Sequence, residues 1–471
     1  MKTSRLSVAV VVALMGLSGC SLIPDYQRPD APVDQTWNLP VAAQVNAPRV
    51  NWQAFFQSAA LKDLISQALA NNRDLRVAAL NIEKAQAQYR ISRADLLPSI
   101  DASGSGDSQR VPSDLSTTDH SRVTHQYIAG VGFTSYELDF FGRVRSLNQQ
   151  ALESYFSTVE AQRSVRVALI AEVASAYYQM QADQQLLEIA RQTLTSQQDS
   201  YALVQSSYDQ EVATELDLSQ AESTVRTAES AQAQYERQVA QDKNALTLLV
   251  GKPVAAQYFS AINLDALKVD EQLPVGLPSD LLMYRPDILA AEHDLKAANA
   301  NIGAARAAFF PSITLTASAG SASADLGQLF AGGQGTWSFM PSINIPIFNA
   351  GRNKAYLDTA RVQRSIEVAN YQKAIQVAFR EVADGLVARD SLSTQVLAET
   401  RLVQPNRRNY ELADSRYKEG VDTYLNSLDA QRNLFSSQQR LVTTKLSRIN
   451  NLVSLYKALG GGEGASEVAL Q

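Results

Sequence analysis

The chain has 471 residues, more than one ordinary domain holds, and carries a formal net charge of −6. No run or face rich in Lys and Arg occurs, which argues against nucleic acid as a partner. Its single cysteine and its three histidines, His120, His125 and His293, form no catalytic or metal-binding pattern. We therefore predict neither an enzyme nor a metal site.

The first 19 residues have the pattern of a secretory signal peptide. Basic residues precede the apolar stretch 6–17, and the segment ends in Leu17-Ser18-Gly19-Cys20. This ending resembles a bacterial lipobox, in which the cysteine is lipidated and becomes the mature N-terminus. We predict a covalent lipid on Cys20, no other cofactor, and sorting to the outer membrane because Ser21 follows the cysteine. No later segment approaches 18 consecutive apolar residues, so we predict no transmembrane helix.

The mature chain contains two copies of one pattern. Residues 73–107 match 286–320 at a shift of 213 positions, and 140–251 continue the match at a shift of 209. A fixed period indicates repeat architecture, and length differences between copies fall in loops. We therefore predict that the two copies form the same structural elements.

Each copy contains a long helical stretch. Residues 143–250 include no glycine or proline, and their apolar residues recur at helical spacing. We predict two helices of about 55 residues each, joined by a turn near Asp209–Asp217. The second copy, about 353–459, has the same character and is predicted to be interrupted at Gly385, Pro405 and Gly420.

Each copy also contains two short segments in which apolar and polar residues alternate, as in 312–319 and 337–345. Period two predicts half-buried strands, either of a soluble hairpin or of a transmembrane β-barrel. Together with the lipobox, we favour barrel strands joined by loops at about 107–125 and 321–335. Four strands cannot close a barrel in lipid, because an open edge leaves backbone groups unsatisfied. The barrel must be shared, with eight strands from two chains or twelve from three.

The chain resembles the TolC/OprM outer-membrane factors, the exit ducts of tripartite efflux and secretion systems. The resemblance covers essentially the whole mature chain. It rests on the segments Asn72–Arg76, Glu137–Arg143, Leu277–Leu282, Arg285–Ile288, Ala304–Ile313 and Tyr456–Gly462.

This resemblance implies an α+β membrane protein with four transmembrane strands and long helical hairpins per chain. Three chains would form a 12-stranded β-barrel continuous with a 12-helix α-barrel. The predicted regions are the signal peptide 1–19, a lipidated and equatorial segment 20–60, repeat 1 at 61–251, a linker 252–276, repeat 2 at 277–460 and a tail 461–471.

Leu425, Asp429 and Arg432 are spaced i, i+4, i+7 and therefore share one helix face. The resemblance implies that this face turns to the lumen and closes the periplasmic end, with rings of leucine and aspartate. The alternative is an ordinary solvated face on which Asp429 and Arg432 form a surface ion pair.

The resemblance also implies that the helical hairpin tips contact a periplasmic adaptor. The residues concerned are Glu211, Val212, Thr214, Gly420, Val421 and Thr423. The family usually has glycine at both tips, but Glu211 stands opposite Gly420 here. Glycine permits backbone conformations that strain glutamate, so the first tip departs from the pattern.

The implied function is a homotrimeric efflux duct in the outer membrane that extends into the periplasm. It would passively conduct drugs and other small molecules from an inner-membrane pump of the RND type, through a membrane fusion protein as adaptor. Two alternatives remain open. One is a duct for type I secretion or metal-ion efflux, and the other is a lipid-anchored periplasmic coiled-coil scaffold without a pore.

Overall fold

The fold consists of long helices and one antiparallel sheet. The computed structural model of the protein describes residues 21–34, 36–37, 50–116, 119–267, 269, 273 and 278–461. The predicted signal peptide, Cys20 and most of the predicted tail lie outside these residues. The helices and strands are α1 (Trp52–Phe55), α2 (Ala59–Asn71), α3 (Arg73–Ala94), β1 (Asp101–Val111), β2 (Arg122–Leu138), α4 (Arg143–Asp209), α5 (Glu215–Val250), α6 (Pro278–Tyr284), α7 (Pro286–Ala307), β3 (Ser312–Ser323), β4 (Gly335–Asn344), α8 (Arg352–Lys418) and α9 (Tyr424–Ala458).

The four strands lie in the order β1-β2-β3-β4, so the two β-hairpins are neighbours in one sheet. Glycine permits close approach of the middle strands, because a Cβ on Gly320 would collide with the carbonyl oxygen of Ala129. The strands extend further into the predicted loops than expected, leaving connections at 112–121 and 324–334. Polar pairs such as Ser108 opposite His125 continue the ladder beyond the apolar alternation. Within the described residues, β1 and β4 are the edges of this sheet.

The two helical hairpins have unequal arms. Helix α4 has 67 residues and α5 has 36, and the second copy repeats this with 67 in α8 and 35 in α9. The prediction of about 55 residues per helix is wrong, although the first turn, 210–214, lies within the predicted region. That turn divides the uninterrupted helical stretch unevenly, because the chain reverses where Thr214 caps α5 and not at the midpoint.

Helix α8 runs unbroken through two of its three predicted interruptions. Gly385 lies where a Cβ would meet the side chain of Leu455 at 3.1 Å, and its carbonyl accepts a hydrogen bond from the Asn451 amide at 2.9 Å. Pro405 also lies inside the helix, where an interior proline costs about 3 kcal/mol in isolation. Tertiary packing along a 67-residue helix offsets such local costs, so only the turn at Gly420 ends it.

Equivalent positions of the two copies make equivalent contacts with different side chains. The Asn72 amide donates to the carbonyl of Leu249 at 2.8 Å, and the Arg285 guanidinium donates to the carbonyl of Ala458 at 3.1 Å. Both contacts tie the start of a repeat to the last turn of its helical hairpin. The chain then turns at a left-handed Gly251, with φ of 76°, as it does again at the second copy's end.

The described chain divides into two compact units. One contains the described residues before Ala31 with Asn81–Val159 and Ala290–Gln372, and it includes the whole sheet. The other contains the remaining described residues, and aromatic rings such as stacked Phe55 and Tyr456, with centroids 4.6 Å apart, are buried there. No described helix is long and apolar enough to cross a membrane.

Candidate functional site: the hairpin tips and the exposed face of α9

Both hairpin tips reverse through the same backbone geometry. Glu211 has φ of 60° and Gly420 has φ of 72°, so both residues lie in the left-handed region. The next amide returns to the preceding helix in each tip, from Val212 to the Ser207 carbonyl and from Val421 to the Arg416 carbonyl, both at 2.9 Å. These bonds satisfy carbonyls at the helix ends. The departure identified in the sequence therefore places a glutamate where the fold demands a left-handed residue.

The helices that leave the tips are capped differently. Thr214 and Asp217 form a reciprocal capping box at the start of α5. Thr423 makes no side-chain cap at the start of α9, and Asp422, which precedes it, accepts hydrogen bonds from the Asn426 side chain at 2.5 Å and the Thr423 amide at 3.0 Å. These two bonds, and then Arg416, lower the pKa of the Asp422 carboxyl. The second tip therefore carries an ionised carboxylate next to the start of α9.

A small apolar cluster joins the two hairpins just above their tips. Val204, Ala221, Tyr424 and Leu428 are its buried members. They come from α4, α5 and α9, and α8 contributes the partly buried Tyr417, whose ring centroid is 5.4 Å from that of Tyr424. The first and second copies are thus packed together at this level.

A chain of neutral hydrogen bonds crosses between the hairpins beside this cluster. The Gln197 amide donates to the Gln431 side-chain oxygen at 2.6 Å, and the Thr224 hydroxyl donates to the Gln197 oxygen at 2.7 Å. The Gln431 amide donates to the Ser196 hydroxyl at 3.0 Å, which lies 2.6 Å from the Tyr410 hydroxyl. Gln197, Gln431 and Thr224 are buried.

Sequence reasoning missed this network, because a search for apolar periodicity passes over glutamine. One signal was present: Gln431 follows Tyr424 and Leu428 at i+7 and i+3, on the face that the structure buries.

The predicted gate residues lie on the other face of α9. Leu425 is 48% exposed, and the Asp429 and Arg432 side chains are 60% and 59% exposed. Asp429 and Arg432 approach to 3.7 Å as an i, i+3 pair. Such an exposed pair contributes at most a few tenths of a kcal/mol to helix stability. The structure therefore brings the three residues to one exposed face. This face contributes little to the stability of the helix.

The predicted adaptor-contact residues are also exposed. Val212 is 78% exposed and Val421 is 60% exposed, and neighbouring Leu216 is 66% exposed. The other predicted tip residues are exposed as well, namely Glu211, Thr214, Gly420 and Thr423. Apolar side chains held out of the core at both tips form a surface suited to packing against another protein.

The segment that follows the predicted lipidation site lies along α7. We call this segment, residues 22–28, the strap. The Leu22 carbonyl accepts a hydrogen bond from Arg306 at 3.1 Å, and the Pro24 carbonyl accepts one from Asn299 at 2.7 Å. Between them, Ile23 lies so close to Gly303 that a Cβ there would meet it at 2.6 Å. Because α7 ends at Ala307 and β3 begins at Ser312, the strap starts beside the helix-to-strand junction.

Glu292 anchors the far end of this strap. Its buried carboxylate accepts hydrogen bonds from Arg28 at 2.6 Å and from the Tyr26 hydroxyl at 3.1 Å, and it pairs with Lys296 at 3.2 Å. Burial acts to raise the pKa of Glu292, but the Arg28 hydrogen bond and the Lys296 charge outweigh it and lower that pKa. The carboxylate stays ionised and holds the strap in place.

The described residues contain no group of three or more His, Cys, Asp or Glu side chains placed to hold a metal ion. His125 instead shares a hydrogen bond with Ser108 across the β1–β2 ladder, at 2.8 Å. His293 contacts the Glu153 carboxylate at 2.7 Å, between α7 and α4.

The sequence matches the family model described as outer membrane efflux protein over residues 64–252 and 277–461. It is 54% identical over 468 residues to the toluene efflux pump outer membrane protein TtgC of Pseudomonas putida, covering 98% of this chain and 96% of that protein.

Two solved structures are similar throughout. A membrane protein from Pseudomonas aeruginosa has a TM-score of 0.90 and 43% identity, over 96% of this chain and 100% of that one. The open state of the Neisseria gonorrhoeae MtrE outer membrane channel has a TM-score of 0.84 and 38% identity, over 94% of this chain and 98% of that one.

Proposed function

The chain belongs to the outer membrane efflux proteins, and on this premise we propose that the exposed face of α9 is its gate and the two hairpin tips its adaptor-binding surface. The predictions of family, fold class, localisation and duct function are confirmed. The protein is the outer-membrane exit duct of a tripartite efflux system, a trimer with a β-barrel and a helical barrel, and it extends into the periplasm. It works with an adaptor and an inner-membrane pump.

Several finer points belong to the proposal. The pump is of the RND type, the adaptor is a membrane fusion protein, and the duct performs no chemistry of its own. Its cargo includes apolar organic molecules, in keeping with the toluene efflux named for a relative that is 54% identical.

The observation that carries the gate is the exposure of Leu425, Asp429 and Arg432 beside a buried face that fixes their direction. Three copies around an axis would place three carboxylates in one ring, which attracts cations, next to an apolar constriction. The second copy alone carries this set, since Gln220 is the first-copy equivalent of Asp429.

Single-channel recording in planar bilayers tests the gate. Asp429→Ala should raise conductance and weaken cation preference, because it removes both the carboxylate ring and its ion pairs with Arg432. Gln220→Ala, at the matched position of the first copy, should leave both quantities unchanged. Conductance and selectivity of Asp429→Ala equal to those of the wild type would remove Asp429 from this role.

We also propose that Cys20 carries a covalent lipid. The strap supports this, because Leu22, two residues downstream, is hydrogen-bonded beside the junction between α7 and β3. Acyl chains attached there would enter the membrane next to the barrel strands. Mass spectrometry of the N-terminal peptide should find acyl groups on Cys20 and none in Cys20→Ser. An unmodified Cys20 in protein extracted from outer membranes would contradict the proposal.

A further inference from the structure

The two copies of the repeat meet side by side within one chain. Strand β2, which ends the first β-hairpin, pairs with β3, which begins the second, and Gly132 lies opposite Ser318. In the helices that follow, the Glu153 carboxylate of α4 contacts His293 of α7 at 2.7 Å. We call this contact between the first and second copies the internal junction.

The repeat also produces the same two surfaces without a partner. It relates β4 to β2, β1 to β3, α8 to α4 and α3 to α7. In the part of the chain that the structure describes, β1 and β4 are the open edges of the sheet. When three chains close a barrel, the second copy of one chain must therefore meet the first copy of the next.

The registers of the two β-hairpins show which strand positions correspond. Asp101 pairs with Gly132 in the first hairpin, and Thr314 pairs with Ser342 in the second. Thr314 is the equivalent of Asp101 at the shift of 213. Ser342 is therefore the equivalent of Gly132.

The strand pairing of the internal junction can be translated to the open edges. At the same shift of 213, Ser105 is the equivalent of Ser318. The internal pair of Gly132 and Ser318 therefore becomes Ser342 of one chain opposite Ser105 of the next.

A second internal pair gives the same register. Leu138 pairs with Ile313 beyond the irregularity in β2, and the shifts of 209 and 213 carry this pair to Ile347 and Ile100. The two translated pairs are five positions apart on both strands, so they belong to one regular antiparallel ladder. Ile347 and Ile100 are both exposed in the single chain.

The helices at the open surfaces carry apolar side chains where the internal junction is polar. The equivalents of Glu153 and His293 are Val362 on α8 and Leu80 on α3, which are 59% and 44% exposed. Exposed apolar side chains on two surfaces that must meet are suited to packing against each other.

We propose that adjacent chains of the trimer join through a copy of the internal junction, which we call the seam. Strand β4 pairs antiparallel with β1 of the next chain, with Ser342 opposite Ser105. Helix α8 packs on α3 of the next chain, with Val362 against Leu80. The seam is held by backbone hydrogen bonds and apolar contacts, and it lacks the contact between Glu153 and His293 that the internal junction has.

Disulfide formation tests the strand register. Residues directly opposite each other in antiparallel strands have Cβ atoms about 4.5–5.5 Å apart, and diagonal neighbours about 7–8 Å. With an oxidant, Ser342→Cys together with Ser105→Cys should give a covalent trimer on a non-reducing denaturing gel. The two positions lie on opposite edges of a four-stranded sheet, about 14 Å apart, so no such bond can form within one chain.

Ser342→Cys together with Ser103→Cys is the matched control, because Ser103 shares its residue type, strand and face with Ser105. It should run as a monomer on the same gel. Each single variant should do so too, and it also reports any bond to Cys20. A covalent trimer from the Ser103 combination would overturn the register. The absence of one from the Ser105 combination, in protein that is trimeric by native mass spectrometry, would do the same.

The helical part of the seam is tested by moving the polar pair into it. Val362→Glu should lower the temperature at which the trimer dissociates in detergent, because it buries a carboxylate without a partner between two chains. Adding Leu80→His should recover part of this loss at pH 6, where an imidazole with a pKa of about 6.5 is largely protonated and can pair with the carboxylate. A dissociation temperature of Val362→Glu equal to that of the wild type would overturn the packing of α8 on α3. Neither test measures conduction, so both are separate from the gate experiment.

Discussion

Glu211 holds a left-handed backbone conformation that a glycine, Gly420, adopts at the equivalent position of the second copy. Its φ of 60° matches the 72° of Gly420, yet a side chain with a Cβ costs about 1–2 kcal/mol in this region. The surrounding hydrogen bonds and the apolar cluster impose the same turn on both tips. The glutamate is therefore held by its context in a conformation that glycine adopts freely.

Exchanging the two residue types should have opposite effects. Glu211→Gly should increase the hydrogen-exchange protection of the Val212 and Ala213 amides by about 1 kcal/mol, because the strain is removed. Gly420→Glu should decrease protection of the Val421 and Asp422 amides by a similar amount. No atom lies within 4 Å of a Cβ built on Gly420, so a loss there would reflect the backbone and not a clash. Changes of the same sign in both variants would contradict this account.

At the scale of whole helices, the contact between the two hairpins depends on side chains that carry no charge. The buried amides of Gln197 and Gln431 bond to each other, and Thr224, Ser196 and Tyr410 complete their hydrogen bonds. Their repeat equivalents differ: Ser196 corresponds to Pro405 and Gln431 to Glu222, so the copies did not preserve this contact.

Removing one of the two amides should lower the free energy of unfolding more than removing both. Gln431→Leu leaves the Gln197 amide buried without its partner, at a cost of about 1–3 kcal/mol. The double variant Gln197→Leu with Gln431→Leu should recover part of that loss, because no unpaired amide remains at the contact. Thermal unfolding of the purified trimer measures this coupling. Additive losses would mean that the two amides do not act together.

The sequence correctly predicted that the helical hairpins exist but not how long their helices are. A stretch without glycine or proline correctly indicated helix from 143 to 250, and the turn lies inside the predicted region. The predictions of two helices of equal length and of interruptions at Gly385 and Pro405 were wrong. Local propensity disfavours such residues by a few kcal/mol, whereas packing against neighbouring helices acts along the whole length of α8.

For the molecule as a whole, the decisive feature is a sheet with two edges. Strands β1 and β4 have no further partner among the described residues, and a sheet in lipid must have none of its edges open. Pairing between chains resolves this, and the trimer of the family supplies twelve strands.

Native mass spectrometry of detergent-purified protein should therefore give three chains. Val421→Asp changes only an exposed tip side chain and should leave this number unchanged. A stable monomer or dimer would contradict the shared barrel, because four or eight strands would then have to close without the third chain.

The sequence by itself determined the two copies, the types of their helices and strands, the family and the residues of the exposed α9 face. These depend on periodicity, on breakers of regular structure and on motifs, all of which are local in the chain. Only the tertiary structure decided that Gln197 meets Gln431 and that α8 continues through Pro405. Those outcomes depend on which faces of distant helices pack together, and burial changes the energy of an amide or a carboxyl in a way that no local pattern records.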